Sequence, residues 1–338
     1  MITEPLVSVI IPTYNRADKV GDAIRSVLTQ TYSNIQILVI DDGSSDHTSA
    51  LMAGFPQVDY IQQTHSGQAA ARNNGLRNAR GSIIANLDSD DMWEAEFLAD
   101  CVRKLENEQL DFVFANWIQQ CANGSDWDFL INDPFLKPFF NRIRDEWVDL
   151  DNADLRELYL SACPSPSSST VIRKSSIGAG WDESINIGDD WAMYINMVFS
   201  KECKASFTLK KLWRKRVDSM NIYDGRKRAE VLNLLYIDDV TRIIKRHGKE
   251  FTRGERKILE RTLMYSLVEL SKHKLIREFD VIQSLKLFTR SCAINIPFSF
   301  KSAYIILMKG LALRANDLVT VENPAHYESR NTVPGVNS

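Results

Sequence analysis

Apolar positions in the first 115 residues come in short runs separated by helical patterns. Residues 6–11 are a β-branched run halted by Pro12. Asn15 is placed to cap a helix over 17–30, where Val20, Ile24, Val27 and Leu28 recur at helical spacing. Runs at 35–40, 58–61, 83–87 and 111–115 read as further strands. The segment 41–46 reads as a turn, with Asp46 set to cap the helix after it. An alanine-rich stretch at 67–79 and a second at 94–108 read as helices. Strands that alternate with helices predict an α/β fold with a largely parallel sheet, and such sheets bind ligands at the carboxyl ends of their strands.

The pattern changes after residue 115. Residues 116–162 are less regular and rich in aromatics, among them Trp117, Phe139 and Trp147. A Pro/Ser punctuation follows at 163–170, then a strand at 170–173 and a helix at 191–199. From about residue 225 the chain reads as mostly helical, with the firmest segments at 229–247 and 253–272. The last residues, 326–338, are polar and read as a disordered tail. The expected division is 1–220, 221–325 and the tail.

Charge sharpens this division. Residues 1–200 hold 14 Lys and Arg against 29 Asp and Glu, and residues 201–338 hold 27 against 15, within a net charge of -3. An acidic half fits a metal site. A basic half fits an anionic partner such as phospholipid, a phosphorylated substrate or nucleic acid, and equally a solvated lysine-rich surface. The five cysteines are scattered without metal spacing, which points to a reducing compartment, the cytoplasm. Residues 1–20 lack a secretory signal pattern, and no apolar run reaches the ~18 residues that span a bilayer.

Three acidic clusters carry the candidate chemistry: Asp41-Asp42-Gly43-Ser44 and Asp88-Ser89-Asp90-Asp91, each after an apolar strand, and Asp189-Asp190. Clustered carboxylates repel one another unless a cation or a basic group neutralises them. Mg²⁺ and Mn²⁺ prefer such oxygen ligands and keep positions open for phosphates. Arg72, on the alanine-rich helix, has the fork geometry to pair with a diphosphate or with one of these clusters. There is no Gly-x-x-x-x-Gly-Lys-Ser/Thr loop, no Gly-x-Gly-x-x-Gly fingerprint and no Gly-x-Ser-x-Gly elbow.

Together these residues resemble the family 2 glycosyltransferases, which have the GT-A fold. The resemblance is carried in order by Val7 to Asn15, Asp41 to Asp46, Gly67 with Ala71-Arg72-Asn73 and Gly75, and Asp88 to Asp91. It continues through Ser168 to Arg173, Gly180 to Glu183 and Gly188 to Trp191. It implies an inverting transfer from a nucleotide-diphosphate sugar, by default a UDP-sugar, to a glycan or lipid-linked acceptor in bacterial cell-surface polysaccharide or lipopolysaccharide synthesis. Residues 1–115 would be the donor half and 116–220 the acceptor half.

The same resemblance implies the roles. Pro12, Thr13, Tyr14, Asn15 and Asp41 or Asp42 would hold the base and ribose, and Arg72 would sit near the diphosphate. Asp88 and Ser89 would reach the donor, and Asp88 and Asp90 would hold Mn²⁺ or Mg²⁺. Asp190 would be the general base, with Asp189, Trp191, Trp181, Arg214 and Arg216 on the acceptor side. Relatives often carry a histidine where Val217 stands; Arg214, Lys215 or Arg216 could neutralise the diphosphate instead. The aromatics of 117–147 could stack on an acceptor sugar or form core. The segment 298–314 could lie on the inner membrane surface or be an ordinary packing helix. No nucleic-acid partner is implied. A sugar nucleotidyltransferase is the rival enzyme, and an inactive nucleotide-sugar-binding protein the rival non-enzyme.

Overall fold

The structure, a computed structural model, describes residues 4–120, 126–216 and 226–316. The place of Val217 and the tail at 326–338 lie outside the described residues. Two compact units divide the chain, 1–225 and 226–338.

In the first unit the elements follow one another as β1 (Val7–Thr13), α1 (Val20–Leu28), β2 (Ile35–Asp41), α2 (Thr48–Met52), β3 (Asp59–Gln62) and α3 (Gln68–Asn78). Next come β4 (Ile83–Asn86), β5 (Met92–Trp93), α4 (Phe97–Asn107), β6 (Phe112–Gln120), β7 (Asp126–Asp128) and α5 (Phe129–Asn132). The unit closes with β8 (Trp147–Leu150), α6 (Asn152–Ser161), β9 (Thr170–Arg173), α7 (Asp189–Ser200) and β10 (Ala205–Arg216). The sheet runs β3-β2-β1-β4-β9-β6-β10-β5, with β7 on β6 and β8 on β10. The α/β class read from the alternation is the class observed. β3, β2, β1 and β4 are parallel throughout, β6 and β10 are parallel, and β9 enters antiparallel between β4 and β6.

The parallel half fixes where a ligand can go. The chain steps outward from β1 to β2 to β3, then returns to lay β4 on the other side of β1. The switch point between β1 and β4 opens a crevice at their carboxyl ends. All seven residues of β1 are buried, as expected of a central parallel strand. The strand runs two residues past its expected end, through Pro12. Odd residues of β1 bond toward β2, as the Val7 and Thr13 contacts with Asn34 and Asp42 show, and Ile10 bonds toward Leu87. Pro12 therefore faces the β4 side, where β4 has already ended, and its missing N–H leaves no partner unmet.

Helix α3 presses onto β1 through its small residues. A Cβ added at Gly75 would lie 2.4 Å from Cγ2 of Ile10. The alanine-rich composition is thus a close-packing device, as its pattern suggested.

Two local readings need correction. Asn15 does not cap α1, which begins at Val20. Asn15 adopts a left-handed conformation (φ 51°), and its side chain accepts from the Ser45 N–H, pinning the loop after β1 to the loop after β2. The strand β10 was not read at all. Its sequence ASFTLKKLWRKR is too basic to look like a sheet interior, but β6, β8 and β5 all pair with it, and those ladders override the weak local preference. Of the two readings open for the aromatics of 117–147, core is the one observed for those that are buried. Trp117 stacks on Phe129 at 4.2 Å, and Phe139 and Trp147 are also buried.

The second unit is helical, as read: α8 (Arg228–Val231), a π-helical stretch at Leu232–Asp239, α9 (Val240–His247), α10 (Arg253–Arg277), α11 (Val281–Ile294) and α12 (Ile296–Asn316). Among the described residues no helix is long and apolar enough to cross a membrane.

Candidate functional site

A cleft of about 360 Å³ lies at the β1/β4 switch point. One end is built from the loops after β1, β2 and β3. Tyr14 is half exposed, and its ring stacks on His65 with centroids 4.2 Å apart. The Asp42 carboxylate holds this end together. It accepts from the N–H groups of Ser66 and Gly67 and from Gln63 Nε2, each at 2.8 Å, while His65 Nδ1 lies 2.9 Å away. Gly67, at φ 94°, then lets the chain turn sharply into α3. Asp41 is fully buried and points elsewhere. It accepts from the Ser44 N–H at 2.8 Å and from the Tyr60 hydroxyl at 2.5 Å.

The other end gathers carboxylates from two distant parts of the chain. Asp88, Asp90 and Asp91 follow β4. Asp189 and Asp190 open the first turn of α7, where the helix dipole favours negative charge. Arg72 reaches between them from α3. Its guanidinium is 2.8 Å from Asp88, 2.5 Å from Asp189 and 3.6 Å from Asp190. Burial opposes the charge on Arg72, but Asp190, Asp189 and Asp88 together more than offset this and hold it protonated. Burial pushes the Asp189 carboxyl up to about 7, against the pull of Arg72. Gln68 also donates to Asp189, at 2.6 Å.

Beside this network, burial and neighbouring carboxylates raise Asp90 and Asp91. Asp90 is pushed up by burial and then by Asp88, with Arg16 at 3.5 Å pulling the other way. Asp91 is pushed well up by burial, then by Asp90 and Asp88. Its Oδ2 accepts from Ser168 at 2.6 Å, and its buried Oδ1 has no partner.

Asp190 sits at the lip of the cleft with its orientation fixed. Its Oδ2 accepts from the Ser167 N–H at 3.0 Å. Its Oδ1 accepts from the Ser167 hydroxyl at 2.6 Å and from Trp181 Nε1 at 3.2 Å. Asn73 secures this arrangement from α3. It donates to the carbonyl of Trp181 and accepts from its N–H. A Cβ at Gly180 would lie 2.3 Å from the Asn73 side chain, so the turn there needs glycine.

Most expected residues converge on this cleft: Pro12, Thr13, Tyr14, Asp42, Arg72, Asp88, Ser89, Asp90, Asp189 and Asp190 all line it. Asn15, Asp41 and Trp191 do not. Trp191 is buried with its Nε1 donating to the Tyr159 carbonyl. Trp181 reaches the cleft through Asp190. Arg214 and Arg216 turn away, to Glu94 at 2.7 Å and to Asp22 at 2.9 Å. The intervening Lys215 lines the cleft instead, as side-chain alternation along β10 requires. Asp189 turns inward to Arg72 rather than toward open space. The sequence reading missed Arg16, His65, Gln68 and Ser167. For His65 a signal existed: it follows β3, whose carboxyl end shares the cleft edge.

The donor set also bears on a metal. Among the described residues no group of three or more His, Cys, Asp or Glu could hold an ion. The residues nonetheless fit a hard cation that shares its coordination with phosphates, because Mg²⁺ is commonly held by one or two carboxylates plus substrate oxygens. Asp88 and Asp90 supply such oxygens, and their mutual repulsion is what a cation would relieve.

Residues 8–156 match the profile described as glycosyl transferase family 2. The chain is 38% identical over 115 residues to the UDP-Glc:alpha-D-GlcNAc-diphosphoundecaprenol beta-1,3-glucosyltransferase WfgD of Escherichia coli, covering 33% of this chain and 46% of that one. The fold is similar to S. aureus TarS 1-349, solved in complex with UDP-GlcNAc, at a TM-score of 0.57 and 15% identity over 88% of this chain and 90% of that one. It is also similar to the mannosyltransferase PcManGT from Pyrobaculum calidifontis, solved with GDP-Man and Mn²⁺, at a TM-score of 0.53 and 18% identity over 92% and 81%. The matched segment spans between about a fifth and about half of the first curated relatives' length.

Proposed function

We propose, on the premise that this chain carries a glycosyl transferase family 2 domain over residues 8–156, that the cleft transfers a sugar from a nucleotide-diphosphate donor to an acceptor hydroxyl with inversion. One observation carries the reading: Arg72, the β4 carboxylates and Asp190 are drawn from three separate segments onto one cleft. The donor is a UDP-sugar, and the acceptor is a glycan or lipid-linked sugar of cell-surface polysaccharide assembly. WfgD's name and the TarS complex with UDP-GlcNAc support that choice.

Tyr14 and His65 offer an aromatic face for the base, and Lys215 a cation for the phosphates. Asp88 and Asp90 would hold Mn²⁺ or Mg²⁺, which when bound stabilises the charge of the leaving diphosphate. Arg72 keeps Asp88 and Asp189 from repelling the donor by neutralising them. Asp190 accepts the acceptor's hydroxyl proton as the oxygen attacks the anomeric carbon and the diphosphate leaves. Ser167 and Trp181 hold its two oxygens in place for that task. With one base and no protein nucleophile, a single displacement inverts the centre.

Asp190→Asn keeps the cleft's shape and removes the base. Transfer in a radiolabelled-donor assay is expected to fall by roughly 10²- to 10⁴-fold, with donor affinity retained. Near-normal transfer by this variant would overturn the assignment.

A further inference from the structure

The helical unit buries an apolar core through α10 but leaves large apolar side chains of α11 and α12 exposed. Where α10, α11 and α12 meet, Tyr265, Val268 and Ile306 form a small apolar core with Phe288 and Ala303 against it, and buried serines add hydrogen bonds. Ser271 donates to the Ser284 carbonyl at 2.8 Å, and the Ser291 and Ser299 hydroxyls are 2.7 Å apart. Outside stand Phe279, Ile282, Leu285, Phe300, Tyr304 and Met308, with Phe279 82% and Ile282 70% exposed. Positions 300, 304 and 308 follow at one-turn intervals on α12. The Phe288–Phe300 and Ser291–Ser299 contacts hold α11 and α12 together near the turn that joins them. Two neighbouring helices thus both carry exposed apolar side chains.

Large apolar side chains exposed together on neighbouring helices mark an interaction surface. The charge identifies the partner. Residues 271–316 contain 8 Lys and Arg and 2 Asp and Glu, and Lys286 and Lys301 are exposed on α11 and α12. A second copy docked on this face would set basic residues against basic residues. An anionic surface would complement them. No described helix can cross a bilayer, so the face would lie in the headgroup region.

We propose that the α11–α12 face is a docking surface for an anionic lipid bilayer. It stands apart from the transfer reading, because vesicle binding needs no donor and each can fail alone. The test is sedimentation of the full chain with phosphatidylglycerol-rich vesicles and with pure phosphatidylcholine vesicles. Binding is expected to favour the anionic vesicles and to weaken with salt. Combining Ile282→Glu, Leu285→Glu, Phe300→Glu and Tyr304→Glu is expected to weaken binding roughly tenfold or more, as is the pair Lys286→Glu and Lys301→Glu. Circular dichroism and nucleotide binding should be unchanged in both variants, since none of these residues lines the cleft. Equal binding of wild type and the apolar variant, or no binding by wild type, overturns the proposal. So does a lipid-free dimer, seen by analytical ultracentrifugation, that the apolar variant dissolves.

Discussion

The ends of β2 and β4 carry nearly the same sequence signal and fold to opposite electrostatic conditions. At the β2 end, Asp41 and Asp42 are buried and saturated by donors from Ser44, Tyr60, Gln63, Ser66 and Gly67. At the β4 end, Asp90 and Asp91 are buried among carboxylates that push their protonation upward, and one Asp91 oxygen has no partner. Carboxylates after a strand are therefore not a site in themselves. The loop that faces them decides whether N–H donors spend their charge on the fold or leave it for a ligand. The first cluster shapes the cleft; the second is the one proposed to do its chemistry.

Arg72 joins the β4 end to α7, and removing it is the largest disturbance this comparison predicts. Arg72→Ala leaves Asp88 and Asp189 without their shared cation. Breaking such a buried pair costs about 3–5 kcal/mol, measurable by urea unfolding. A loss below about 1 kcal/mol, the usual surface-pair value, would show that the two ends are not coupled through this side chain.

Asp42→Ala strands the Ser66 and Gly67 N–H groups. It is expected to cost about 1–3 kcal/mol of stability while leaving the response of donor binding to Mn²⁺ intact. If the Mn²⁺ response vanished with little change in melting, the two clusters would have the reverse roles.

Gly75→Ala probes the packing that sets Arg72 in place. Its new methyl meets Ile10, for an expected cost of about 1–3 kcal/mol by thermal unfolding. A neutral substitution would mean that α3 can lift off β1 without consequence.

Lys215→Ala is expected to be the mildest change. It should weaken donor diphosphate binding by roughly tenfold, the value of one charge-assisted contact, with melting unchanged. Arg214→Ala should leave donor affinity unaltered, because Arg214 turns to Glu94; equal losses from the two would contradict the alternation along β10.

The legible parts of this molecule were those encoded locally. Strand runs ending in Asp41 and Asp88, the small residues of α3 and the Gly188-Asp189-Asp190 turn all announce themselves within a few residues. What escaped depended on distant partners. β10 is a strand because of β6, β8 and β5, so its basic composition misled. Asn15 looked like a helix cap, but Ser45, in the loop after β2, claims its side chain. Lys215 rather than its arginine neighbours enters the site because strand register decides facing. Ser167 orients Asp190 from 23 residues away, with no motif of its own.

The central claim is that the β4 carboxylates, and not those after β2, hold a divalent cation together with the donor. Calorimetric titration of UDP, with GDP in parallel, into wild type and Asp90→Asn with and without Mn²⁺ addresses it directly. The account predicts that Mn²⁺ tightens nucleotide binding by roughly tenfold or more in wild type and not in Asp90→Asn. The same Mn²⁺ enhancement in both proteins would contradict it.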